Sequence, residues 1–156
     1  MRIINQIFGA GLMLMLALAG TAAAAEPIMT KSGALPTPPA GMGQVVFFRP
    51  GSMFGVALGC TVHEGEPEIA RLGSGKYYVV TEAPGKHDFS TRGGGADKLT
   101  VEVESGETYF VKCNIAMGMM SGGANLSPSD EAGFAKKAKG LNLWKGPKAD
   151  VVAEVK

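Results

Sequence analysis

Alternation is clearest around residue 100. Leu99, Val101 and Val103 fall on one face, and Lys98, Thr100, Glu102 and Glu104 on the other. That is the period-two pattern of a strand with one buried and one wet face. Val45-Val46-Phe47-Phe48 is apolar on both faces, which predicts a central strand covered on each side. Between the apolar runs, turn signals recur at Gly65, Gly75, Gly85, Gly94 and Gly106, at intervals of 9 to 12 residues. Short β-branched and aromatic runs at that spacing predict an all-β sandwich or barrel. The expected strands are 44–49, 55–63, 67–72, 76–82, 86–92, 97–104 and 107–117. Ala83-Pro84-Gly85-Lys86 suits a tight turn, with Pro presetting φ and Gly accepting a positive φ after it.

Past residue 120 the alternation weakens. Ser127-Pro128-Ser129-Asp130-Glu131 predicts a helix start, with Ser127 as cap and Pro128 in the first turn, or with Ser129 as the cap instead. The helix then runs to about Lys139, its last turn carrying Lys136, Lys137 and Lys139, and Gly140 stops it.

The first 25 residues have the pattern of an export signal. Arg2 is the one charge there, Ile7 to Ala19 is apolar, and Thr21-Ala22-Ala23-Ala24-Ala25 supplies small residues for cleavage after Ala25. The alternative is an uncleaved anchor, because the uncharged run from Ile7 to Ala25 is about long enough to span a bilayer. After cleavage no transmembrane helix is expected. Thr21 stands where a lipoprotein would need its cysteine, so a lipid anchor is not expected. The resulting plan is a signal peptide at 1–25, an extended proline-containing linker at 26–42, a β-sandwich domain at 43–139 and a basic tail at 140–156.

Charge narrows the partners. Fifteen Lys+Arg face fourteen Asp+Glu, and loss of Arg2 with the signal balances them. Nothing here resembles the basic footprint of a nucleic-acid binder. Six lysines crowd residues 132–156, which can fold back on the acidic domain, reach an anionic partner, or stay solvated. Trp144, alone beside Leu141 and Leu143, is expected to pin this tail onto the domain.

Chemistry-bearing residues are few. Counting by twos, Cys60 shares an inward face with Val56, Leu58 and Val62, and Cys113 shares one with Tyr109, Val111 and Ile115. Two inward cysteines in an exported chain predict a disulfide, the rivals being two buried thiols or a reactive cysteine. His63 and His87 are the only imidazoles. Asp88 follows His87 directly, so on a strand the two point apart and cannot form the base and orienter of a triad. No nucleophile elbow, P-loop, dinucleotide-binding glycine pattern or zinc-protease helix is present. Gly93-Gly94-Gly95 is expected to be a turn rather than a phosphate cradle. A non-enzyme without a cofactor is the expectation. The unusual feature is Met117-Gly118-Met119-Met120. Met117, Met119 and Met120 with His63 or His87 would form a soft site for Cu(I). Alternatively these methionines close the core or offer an adaptable surface to a protein partner.

Val45-Val46-Phe47-Phe48-Arg49-Pro50-Gly51-Ser52 and Gly55 open a longer pattern. It continues through Gly75-Lys76-Tyr77-Tyr78, Ala83-Pro84-Gly85-Lys86-His87 and Val103-Glu104-Ser105-Gly106-Glu107-Thr108-Tyr109-Phe110-Val111, then Met117-Gly118 and Glu131 with Gly133. In order and spacing the chain resembles the bacterial domain of unknown function 2846 family, exported proteins and lipoproteins, over roughly residues 43–139. The resemblance implies a small prealbumin-like antiparallel β-sandwich in the bacterial envelope, and it brings no reaction and no catalytic residues. Arg49-Pro50-Gly51 is then either a functional loop or the corner where the first strand crosses between sheets. The functional expectation is a non-catalytic periplasmic or cell-envelope module acting by contact with an unidentified envelope protein; the alternative is a periplasmic Cu(I) or other metal-binding protein.

Overall fold

In the computed structural model, residues 26–53, 55–92, 97–117 and 122–146 are described, with backbone alone at 117 and 122. The signal segment with Ala25, the Gly93-Gly94-Gly95 turn, Met119, Met120 and the tail beyond residue 146 lie outside the described residues.

A five-stranded and a four-stranded sheet pack face to face. The strands are β1 (Met29–Thr30), β2 (Gly33–Ala34), β3 (Gly43–Arg49), β4 (Cys60–Glu64), β5 (Glu68–Leu72), β6 (Lys76–Glu82), β7 (Gly85–Ser90), β8 (Leu99–Val103), β9 (Thr108–Met117), β10 (Gly122–Ser129) and β11 (Asn142–Leu143), with helix α1 (Glu131–Ala138) between the last two. The sheet orders are β10-β9-β3-β6-β11 and β5-β4-β7-β8. Most pairings are antiparallel, but β3 runs parallel to β9 and β11 parallel to β6.

Apolar residues of both sheets fill the space between them: Val45, Phe47, Val111 and Cys113 from one, Cys60, Val62, Leu72 and Phe89 from the other. A second layer lies behind the five-stranded sheet, where Val46, Phe48, Tyr77 and Phe110 meet Phe134 of α1 and Leu141. Strand β3 therefore buries both faces, which is why its sequence is apolar without alternation. Phe134 anchors the helix, its ring 5.1 Å from Phe110, 5.2 Å from Phe48 and 6.0 Å from Tyr77.

Several expectations change. The strand expected over 55–63 begins only at Cys60. Val56 and Leu58 are 60% and 40% exposed rather than inward, because Gly55 takes a φ of +65° and turns the chain. Strand β10 was not foreseen. Its glycines, serines and Pro128 hide the inward pair Ala124 and Leu126. Ser127 consequently lies in a strand, and the helix cap is Asp130, whose Oδ1 accepts from the Gly133 N–H at 2.7 Å.

Residues 26–42 are not simply an extended linker. They hold the β1–β2 hairpin, with the Thr30 hydroxyl 3.1 Å from the Tyr77 hydroxyl and the Lys31 N–H donating to Leu141 O. The start of the tail is folded too: Leu141 is buried, and Trp144 packs edge-on against Tyr78 at 5.4 Å. Trp144 thus pins this segment to the domain, and the folded unit runs past both ends of 43–139.

Candidate functional site

Cys60 on β4 and Cys113 on β9 form a disulfide, with Cα atoms 6.5 Å apart and 53 residues between them. The bond joins the two sheets through the core, so neither sulfur is a free or reactive thiol.

Arg49 ends β3 at the Arg-Pro-Gly corner. Its guanidinium is buried and donates to the carbonyl oxygens of Gly55, Leu58 and Leu72, the last at 3.3 Å. Burial holds its pKa below the ordinary arginine value. It ties the 50–59 loop to the end of β5, so the motif is a structural corner.

The two histidines sit on opposite faces. In the register of β4 on β7, His63 lies across from Ser90 and Glu64 across from Phe89. Opposed residues share a face and alternate residues return to it, so His87 shares its face with Phe89 and Glu64. His63 points the other way, its Nδ1 3.0 Å from Glu66 O. Met119, Met120 and the side chain of Met117 lie outside the described residues, and with them the soft site they would form with either histidine.

What meets His87 instead is a pair of carboxylates. Its Nδ1 lies 2.7 Å from Glu64 Oε1 and 3.4 Å from Glu82 Oε2, and its Nε2 lies 2.8 Å from Ala83 O. Glu64 continues the inward series Cys60, Val62 on β4, and Glu82 continues Tyr78, Val80 on β6. The three side chains are half-buried and close one end of the sandwich, two from the four-stranded sheet and one from the five-stranded sheet. Phe89 stacks under the imidazole, centroids 6.3 Å apart. Burial would lower the His87 pKa, but the hydrogen bonds to Glu64 and Ala83 and the charges of both glutamates raise it overall. Burial and the neighbouring Glu64 charge raise Glu82, against the opposing pull of His87. Neither glutamate is expected from the sequence as a partner of His87. The available signal was the inward alternation of each strand running out into an acid.

Asp88, on the other face, accepts from Lys98 Nζ at 2.9 Å and from the Thr100 hydroxyl at 2.5 Å. It plays no part in the His87 cluster, as alternation predicted.

A second feature is a cleft of about 460 Å³ between the sheets, lined by Leu99 and Val101 of β8, Tyr109 and Val111 of β9, and Pro128 and Glu131 beyond. Strand β8 is an outer strand, paired with β7 on one side and with no described strand on the other. In the two packed sheets the three other outer strands carry protective devices. Strand β5 has a register shift opposite Val62/His63, β10 contains two glycines and Pro128, and β11 has two residues. Strand β8 has five residues, no bulge, no proline and no glycine.

A family model described as protein of unknown function (DUF2846) matches residues 39–124, which span β3 to β9 and include the Glu64, Glu82 and His87 cluster and the β8 and β9 walls of the cleft. No curated protein and no solved structure matches the chain.

Proposed function

The chain belongs to the DUF2846 family, and on that footing we propose that it is an exported, non-catalytic β-sandwich module of the periplasm or cell envelope that acts by binding another protein. The observation that carries the reading is the outer edge of β8, regular and without bulge, proline or glycine, beside the cleft. An extended segment laid along β8 would pair with backbone N–H and C=O groups that now face outward, and its side chains would enter the cleft. Leu99 and Val101 supply the apolar contact, and Glu102 and Glu131 give the cleft an acidic rim, which favours a partner segment with alternating apolar and basic residues.

Export is supported by the alanine-rich segment ending at Ala25 and by the disulfide, since such bonds persist in oxidising compartments. Intact mass of protein taken from the periplasm is expected to match residues 26–156 less two hydrogens. A cytoplasmic, full-length, reduced species would contradict export. For the binding role, mild crosslinking in producing cells is expected to yield a discrete adduct. Repeated failure to enrich any partner would count against it.

A further inference from the structure

The cluster at the end of the sandwich faces a charge problem that its protein neighbours do not solve. A carbonyl oxygen only accepts, so the His87 Nε2 facing Ala83 O carries a proton. That leaves Nδ1 pointing at two carboxylates, from Glu64 and Glu82. Among the described residues neither glutamate pairs with a lysine or arginine. Something positive must sit among the three atoms, either protons or a metal ion.

The geometry suits the ion. The three donor atoms lie within 4.8 Å of one another, and the two distances from Nδ1 are 2.7 and 3.4 Å. Around a tetrahedral ion with bonds of about 2.1 Å, donor atoms stand roughly 3.4 Å apart. Glu82 is already at that spacing, and Glu64 needs to withdraw by well under an ångström. The Ala83 carbonyl also does what the outer partner of a metal-bound histidine does: it takes the far N–H, fixing the tautomer and the ring orientation.

The donor set selects the ion. One imidazole and two carboxylates are too hard for Cu(I), which prefers sulfur. They are too few and too nitrogenous for Ca²⁺ or Mg²⁺, which want an oxygen shell. We propose that Glu64 Oε1, Glu82 Oε2 and His87 Nδ1 form a binding site for a first-row divalent cation of the Zn²⁺ type, which bridges the two sheets and keeps a fourth position open to water or a partner's side chain. The proposal does not depend on the role of β8, so either can fail alone.

The test is calorimetric titration of metal-free, disulfide-intact protein with ZnCl₂ near pH 7.5, paired with nitrogen-15 detection of both histidine rings. One-to-one binding is expected, with the His87 Nδ1 resonance moving and His63 left unchanged. Affinity is expected to fall roughly tenfold or more in Glu82→Gln and in His87→Gln, while His63→Gln keeps it. Should a variant fail to fold, the ring resonances of the unaltered chain still decide the matter. Absence of binding, movement of the His63 ring instead, or affinity undiminished in both folded variants would overturn the site and leave a cluster that holds protons only.

Discussion

Reduction of the Cys60–Cys113 disulfide is expected to cost this domain a large share of its stability. The bond closes 53 residues and connects β4 in one sheet to β9 in the other. In the chain-entropy model a loop of that length contributes about 4 kcal/mol, because the open chain gains conformational freedom only when unfolded. Native domains hold only about 5–15 kcal/mol in total. For a chain of this size the loss corresponds to a fall of about 15 °C in Tm. Reduction tests this more cleanly than alanine substitution, because both sulfurs stay in the core and no cavity opens. The assay is guanidinium unfolding and thermal melting of one preparation, oxidised and reduced, with alkylation and mass counting two thiols in the reduced arm. A midpoint that moves little although two thiols are counted would rule out this contribution of the bond. It would mean that the unfolded chain was already compact, or that the bond does not restrain it.

Three further outcomes follow from the packing. Phe134→Ala removes the ring that meets Phe48, Tyr77 and Phe110; a loss of about 3–5 kcal/mol is expected in denaturant titration, with loss of helical signal before the sheets unfold. Gly43→Ala would place a Cβ 2.4 Å from Val103 Cγ1 and 2.5 Å from Glu104 O; overpacking of about 1–3 kcal/mol is expected, read as a lower unfolding midpoint. Asp130→Ala removes the acceptor for the Gly133 N–H; a cost of about 1 kcal/mol is expected, with faster hydrogen exchange in the first turn of α1, whereas Ser127→Ala leaves that turn unchanged.

Much of the fold was legible because strands with one wet face write themselves as alternation. Leu99, Val101 and Val103 did so, and the unbroken Val45–Phe48 run correctly marked a strand covered on both sides. The inward cysteines were readable for the same reason. Legibility failed where backbone constraint overrode the side-chain pattern. At Gly55 the chain turns and leaves Val56 and Leu58 in solvent, although both keep the parity of Cys60. Strand β10 is supported by its pairing with β9 over eight residues, so glycine, serine and proline suffice to form it and leave little periodic trace. At the histidine cluster, parity placed His87 and excluded Asp88. It could not show that Glu64 and Glu82, from different sheets, converge on one ring. That convergence depends on which strands stack, a tertiary fact that local periodicity does not carry.

Position-specific photocrosslinking in producing cells decides whether β8 is where this module meets its partner. A photoreactive side chain is placed at exposed Thr100 on β8, and in a second strain at exposed Arg71 on the bulged strand β5. A discrete crosslinked species is expected from position 100 that position 71 does not give. Equal capture at both positions, or capture at 71 alone, would contradict it.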